Sequence, residues 1–390
     1  MRNSDATRSP RRRLMIATIF SLTVMVGVGT STMPPALAAV QRTFGVSPDV
    51  AGILLAVFTL PGLVLTPLGG YVADRVGRKA VLVPSLVLFA AAGAAALGAE
   101  RFEHLVVLRF LQGCGAASLG ALNVALLSDF FDGNERVRLL GFNHSVLSIG
   151  TAVLPVLSGW LATAHWRYPF ALPMIGVIVA AAVLHVIPPI PSRGNERNDT
   201  PRMMRSERAR LALLLATSVA TYAILFGPFL NYLQERIRLL DPFAPALYER
   251  IGIMVGLMSV ATTVGAVFVG RLGKRYTLSQ LLVVACMLYA VAQILFVLLS
   301  SYALIAIPTV LFGLAQALNQ PVVQSLVAEL APRMRRATIL SFNRTAALVG
   351  QTTGPLLFGV VYRSGGLEAV FLSGAALALV YAGVLWRWLR

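Results

Sequence analysis

The feature that most constrains this chain is the recurrence of apolar runs, each about 20 residues long and closed by a short polar loop. That length, wound as a helix, crosses a hydrocarbon core of about 30 Å. Twelve such runs are read from the sequence, at 14–40, 49–73, 80–99, 105–128, 139–163, 168–188, 211–233, 248–270, 278–299, 302–327, 338–362 and 367–386. With 57% hydrophobic and 13% charged residues, the chain lacks the polar side chains to cover a soluble body of this size. Inside a bilayer each segment must satisfy its own backbone, so the runs are expected as helices. The expected fold class is an all-α membrane protein with twelve transmembrane helices.

Lys and Arg orient it. Placing the N-terminus in the cytoplasm puts 24 of the 33 basic residues on the inside and 7 outside, with Arg109 and Arg344 inside spans. Both termini are therefore expected to be cytoplasmic, in a prokaryotic inner membrane. The excess of 33 Lys and Arg over 16 Asp and Glu is read as this membrane signal, because the charges lie scattered in short loops; no nucleic acid partner is expected. Arg11, Arg12 and Arg13, an apolar stretch and Ala36-Leu37-Ala38 resemble a signal peptide. The apolar stretch is longer than a signal core, so a retained first helix is expected. Cys114 and Cys286 lie in apolar runs and read as packing residues, and four histidines without ligand spacing imply no metal. No cofactor is expected. HExxH, phosphate-loop and Ser/His/Asp patterns do not occur, which argues against an enzyme.

The chain is duplicated. Adding 200 to a residue number carries Gly70 to Gly270, Arg75 to Arg275, Gly113 to Gly313 and Arg136 to Arg336. It carries Phe142-Asn143 to Phe342-Asn343, and Gly150, Pro155 and Gly159 to Gly350, Pro355 and Gly359. Apolar low complexity imitates Leu and Ala, but not this set of glycines, prolines and polar residues. Two related six-helix bundles are expected, at 14–188 and 211–386, with cytoplasmic tails at 1–13 and 387–390 and a polar linker at 189–210. They are related by a pseudo-two-fold axis along the membrane normal.

The loop between the second and third runs packs Asp74, Arg75, Arg78 and Lys79 close together, with Gly70 and Gly77. Gly70 is expected to let two helices approach, Gly77 to reverse the chain, and Asp74 to sit at a helix N-terminus. Either Arg75 or Arg78 can pair with Asp129 at the end of the fourth run. In the second copy Asp74 becomes Lys274 while Asp129 becomes Glu329, so the second loop is expected to be wired differently.

Gly70-x-x-x-Asp74-Arg75-x-Gly77-Arg78-Lys79 resembles the signature loop of the major facilitator superfamily. Arg109-x-x-Gln112-Gly113-x-Gly115-Ala116 is similar to the arginine-bearing motif of its drug exporters. Gly150-x-x-x-Leu154-Pro155-x-x-Ser158-Gly159 resembles the antiporter motif, with Leu154 and Ser158 where that motif has glycine. Pro35-Ala36-Leu37 resembles the exporters' entry motif, with Ala38 replacing its second proline. The resemblance covers the whole length and implies the twelve-helix drug:proton antiporters. It implies that Asp74 faces the eleventh helix, which starts near Ala337. It also implies that Gly70, Asp74, Arg75, Gly77, Arg78 and Asp129 latch the halves in the outward-open state, the alternative being a plain positive-inside topology signal.

Polar residues share a face on two runs: Thr309, Gln316, Asn319, Gln320 and Gln324 on the tenth, and Arg109, Gln112, Gly113, Gly120 and Asn123 on the fourth. Lipid penalises such faces, so they are expected to line a cavity, with interhelical hydrogen bonding as the alternative. Ser218, Thr221 and Tyr222 on the seventh run and Thr23, Gly27 and Thr30 on the first supply further walls. Arg109 and Arg344 either snorkel to the surface or point inward to a substrate or gate. The candidate substrate residues are Arg109, Gln112, Asn123, Tyr222, Gln316, Asn319, Gln320 and Arg344. All 16 acids fall in loops, tails or helix ends, so the acids that could carry a proton, Asp49, Asp129 and Glu235, are peripheral; the candidate proton sites are Asp49, Glu235 and His144. His144 either titrates or stays neutral and hydrogen-bonded. The expected activity is proton-coupled export of a small amphipathic compound by alternating access, by a monomer in the lipid bilayer. The alternatives are an organic-anion or lipid-like carrier using Arg109 and Arg344, and a facilitator-fold sensor that does not transport.

Overall fold

The computed structural model describes residues 10–188, 205–241, 246–330 and 336–388, and among these residues the regular structure is helical throughout. Helices α1 to α6 are Pro10–Phe44, Pro48–Val76, Arg78–Ala96, Phe102–Phe130, Gly133–Ala164 and Tyr168–Val186. Helices α7 to α10 are Glu207–Leu240, Leu247–Leu272, Leu278–Leu298 and Tyr302–Leu330. The last apolar segment, Ile339–Trp388, is 50 residues long, about 75 Å as one helix and more than twice a bilayer core. It is broken at Gly366, where φ is 72° and ψ is −167°. That conformation needs glycine, and it makes two crossings of one segment: α11 over 336–365 and α12 over 367–388. Twelve crossings result, as expected. Large apolar side chains stand exposed on the outer faces, among them Val64, Ile178, Val267 and Val360, which suits a lipid-facing surface.

The chain divides into two compact units that do not follow its order. The first holds 1–32, 57–154 and 167–196; the second holds 33–56, 155–166 and 197–390. In the first unit, Ile19, Leu22 and Met25 of α1 bury with Leu82, Leu86 and Phe89 of α3, Leu122 and Leu126 of α4, and Val179 and Val183 of α6. In the second, Leu214 of α7 buries with Leu282, Ala285 and Cys286 of α9, Val322 and Val323 of α10, and Leu385 of α12. An aromatic stack adds to it, with Phe229 and Phe312 centroids 4.4 Å apart and Phe296 on Phe371 at 5.3 Å. The end of α1, the start of α2 and the end of α5 belong to this second unit.

Between helices in lipid, backbone proximity replaces the hydrophobic effect as the source of contact. The duplication is visible in these approaches. A Cβ on Gly113 would overlap the Phe58 carbonyl in the first unit; one on Gly313 would overlap the Met258 carbonyl in the second. Phe58 and Met258 are themselves 200 residues apart, so both copies seat the fourth-position helix on the same carbonyl of the second.

Helix α7 runs to Leu240, past the expected end at 233. It does so through a π-helical turn, Leu225–Phe229, that contains Pro228. Proline has no N–H to give an α-helical ladder, and the wider turn takes up the defect. Beyond the π turn, Asn231 and, on the extension, Gln234 and Glu235 are each buried.

Candidate functional site

In the charged loop, Gly77 adopts φ 96° and ψ 147°, ending α2 and opening α3. Arg78, at the first position of α3, is the arginine that reaches Asp129: its Nε donates to Asp129 Oδ2 at 3.2 Å. Its Nη1 also lies 2.6 Å from Asp74 Oδ1, so one guanidinium bridges both carboxylates. Arg75 instead lies over the Tyr71 ring, 4.3 Å from its centroid. The close helix approach expected at Gly70 belongs to its neighbour. A Cβ on Gly70 would meet nothing within 4 Å, whereas one on Gly69 would overlap Ser118 of α4. The cause is helical phase: consecutive residues point about 100° apart. The expected partner of Asp74, the start of α11, follows residues 331–335, which lie outside the described residues.

The second copy of the loop is built differently. Thr277, in the place of Gly77, caps α9 by accepting from Gln280 N at 3.2 Å, and Gln280 Oε1 accepts from Thr277 N at 3.0 Å. Among the described residues Glu329 makes no ion pair with Lys274 or Arg275.

The polar stripe of α4 lies buried inside the first unit. Arg109 is 4% exposed, donates to Gln112 Oε1 at 2.6 Å and to the Gly29 carbonyl at 3.1 Å, and covers the Phe58 ring at 4.2 Å. It therefore points inward and does not snorkel. Asn123 donates to the Ile19 carbonyl at 2.6 Å and accepts from Asn143 Nδ2 at 2.8 Å; Thr23 donates to Asn143 Oδ1. This chain of bonds ties α1, α4 and α5.

The second unit repeats the device with other residues. Ser218 donates to Asn343 Oδ1 at 2.6 Å, Asn319 donates to Thr221 Oγ1 at 3.0 Å, and the Tyr289 hydroxyl donates to Gln316 Oε1. Gln320 and Arg344 are exposed, Tyr222 is half-buried, and Arg344 lies within Coulombic reach of the Tyr222 hydroxyl. The Asn143 and Asn343 pair was visible in the sequence as part of the repeat, but its role as a pin between helices was not.

Two buried amide atoms in these clusters are left without a partner among the described residues: Gln112 Nε2 and Asn319 Oδ1. Gln112 must present its oxygen to Arg109, which only donates, so a donor beside Arg109 remains open. Thr221 donates to the Thr217 carbonyl and accepts from Asn319 Nδ2, which leaves Asn319 Oδ1 open beside it. Buried polar atoms are ordinarily satisfied, and those that are not mark places where water or a ligand bonds.

The three candidate proton sites differ. His144 is exposed on α5. Glu235 is buried and paired with Arg238 three residues on, at 2.9 and 2.5 Å. The Asp49 side chain is 4% exposed and accepts from Arg363 Nε at 2.5 Å.

The comparisons with known proteins bear on the whole chain. The family model described as the Major Facilitator Superfamily matches residues 19–247 and 224–390. Protein spinster homolog 3 of Mus musculus is 26% identical over 366 residues, covering 84% of this chain and 71% of its own. Quinolone resistance protein NorA of Staphylococcus aureus is 21% identical over 358 residues, covering 87% of each. The solved structure of a bacterial homolog of the human lysosomal transporter Spinster, inward-facing and occupied, superposes with a TM-score of 0.79 at 14% identity, covering 98% of each chain. A twelve-crossing duplicated fold, the charged loop with its Arg78 bridge, and a family match spanning both copies converge: this chain belongs to the major facilitator superfamily and is a membrane transporter, not an enzyme.

Proposed function

We propose that this transporter exports a small amphipathic compound by alternating access, coupled to protons, from a prokaryotic cytoplasm with both termini inside. The observation that carries the reading is that each unit by itself buries an amide atom left open among the described residues, Gln112 Nε2 in the first and Asn319 Oδ1 in the second. An apolar wall with a few fixed polar groups is the recognition surface that amphipathic ligands need. The name of the relative NorA, a quinolone resistance protein, supports export of such compounds. Replacing Gln316 by Leu together with Gln320 by Leu is expected to weaken substrate binding to the purified protein by about tenfold; unchanged affinity would remove them from the site. Proteoliposomes with an imposed pH gradient test the coupling, which is wrong if flux ignores the gradient.

The bridge of Arg78 to Asp74 and Asp129 is read as the latch that favours the outward-open state. Asp74→Asn is expected to shift the protein away from that state, and equal accessibility of engineered cysteines from both sides before and after the change would sink the latch.

A second reading is favoured by Arg344. It is exposed within an apolar helix and makes no ion pair among the described residues. Such a cation suits an organic anion or a lipid-like headgroup. A ligand-stabilisation screen with anions, lysolipids and cationic drugs separates the two readings by which class raises the melting temperature.

A further inference from the structure

We propose that Asp49 is the conformation-coupled proton-binding carboxylate of this chain, and that protonation releases its bond to Arg363 and frees segment 33–56 from α7 and α11. The proposal deepens the proton-coupled reading above by naming the site.

Three side chains, two carboxylates and an imidazole, are candidates, and geometry separates them. The partner of Glu235 is Arg238 on the same helix, so that pair travels as one body whatever α7 does. His144 is exposed on α5 and has no carboxylate within ion-pair range among the described residues. Asp49 alone pairs with a cation 314 residues away in the chain, on α11. Only this pair must break when the two segments separate.

The seat of the carboxylate is built for the paired state. A Cβ on Gly359 would lie 3.4 Å from the Asp49 Cβ, ordinary contact distance, so α11 packs directly over the acid at this position. Next to it, Asn231 Nδ2 donates to the Pro48 carbonyl at 3.3 Å, and Gly52 leaves room for the Asn231 amide. Arg363 is 67% exposed and Asp49 4%, so the guanidinium reaches from water to a covered acid. Water and protons therefore approach along the arginine.

The charged and titratable groups facing Asp49 are few. From α11 come Arg363 and Tyr362, and from α7 comes Tyr232, whose ring lies 5.0 Å from that of Tyr362. Glu235 and Arg238 act on Tyr362 from the next layer. On its own side, the Ser47 hydroxyl bonds the carboxylate, and Arg42 ends α1 without an ion pair among the described residues. Among the described residues Arg363 is thus the one cation bonded to the acid. The step is a simple protonation: a proton from water adds to the carboxylate, the guanidinium keeps its own, and the charge-assisted bond is lost. A buried carboxylate without its cation holds a proton far more readily, so opening and protonation favour each other.

The repeat supplies an internal comparison. Glu249 stands 200 residues from Asp49, and Gly159, the mate of Gly359, packs more tightly there, against the Tyr248 carbonyl and the Glu249 Cα. The mate of Arg363 is Thr163, so the second copy of the contact has the acid and the glycine without the cation. Among the described residues the switchable pair occurs in one copy of the repeat.

The test reads the contact and not transport. In the full chain carrying Cys114→Ser and Cys286→Ala, Ala51→Cys places a thiol at a fully buried position in the segment. Its reaction with a membrane-impermeant maleimide is measured over pH about 4 to 8, normalised to the same variant unfolded in detergent. The expected result is at least ~tenfold faster labelling at the acid end. Asp49→Asn and, separately, Arg363→Gln should label fast at every pH, whereas Glu249→Gln should keep the pH switch. Labelling indifferent to pH, or both Asp49→Asn and Arg363→Gln as protected as the parent, overturns the proposal. A pH-switched label with flux that ignores the pH gradient upholds the site and overturns the coupled-export reading. A flat label with pH-driven flux does the reverse.

Discussion

At the scale of single residues, adjacent positions carry opposite constraints. Gly69 is pressed on Ser118 while Gly70 borders open space, and Gly113 and Gly313 each lie on a backbone carbonyl. We expect Gly113→Ala and Gly313→Ala each to cost more than about 2 kcal/mol, because a carbonyl cannot rotate away as a side chain does. Gly70→Ala is expected to be neutral within about 0.5 kcal/mol, since no atom meets the added methyl. Thermal unfolding in one detergent compares them. The ion pair Arg101–Glu103 offers a contrast at the surface, with side chains 72% and 69% exposed. Glu103→Gln should leave the unfolding temperature unchanged within error, because exposed pairs contribute little.

At the scale of elements, hydrogen-bonded pins hold the helices. Asn143 joins Thr23 of α1 to Asn123 of α4, and Asn343 holds Ser218 of α7. Asn143→Leu removes both bonds and leaves Thr23 and the Asn123 carbonyl oxygen without those partners. A loss of about 1–2 kcal/mol is expected, read as an earlier unfolding midpoint in detergent. Asn123, picked out as part of a polar stripe, serves the packing at both amide atoms, whereas Asn319 serves it at one and leaves the other open among the described residues. The extension of α7 was not legible, because Gln234 and Glu235 read as the start of a loop. Glu235 is buried with Arg238 as its partner, and Gln234 bonds the carbonyl of Asn231, which in turn reaches Pro48, a contact that no local pattern encodes. The π turn at Pro228 was hidden for a similar reason: proline alone predicts a kink or an end, and neighbouring helices decide which.

At the scale of the whole molecule, an even number of crossings follows from the break at Gly366. A cysteine at Ser364, which is exposed at that reversal, should react only from the side opposite the C-terminus. Labelling from the same side as the C-terminus would reduce the crossings to eleven and contradict the duplication. The two compact units cut across the two sequence copies, with 33–56 and 155–166 joined to the second. The sequence repeat does not foretell this, because it records ancestry of segments and not which ends of a helix are packed at a given moment.

The sequence by itself determined the solvent, the crossings and the repeat. Hydrocarbon demands runs of about 20 apolar residues and closed backbone bonding, and both requirements are local enough to read along one chain. It also determined the charged loop, since Asp74, Gly77 and Arg78 act within a few residues of one another. The tertiary structure alone chose Arg78 over Arg75 for Asp129, Gly69 over Gly70 for the close approach, and Arg363 as the partner of Asp49. Each of those choices depends on side-chain direction or on residues far apart in sequence. A bond spanning 314 positions exists only once the helices between them have packed.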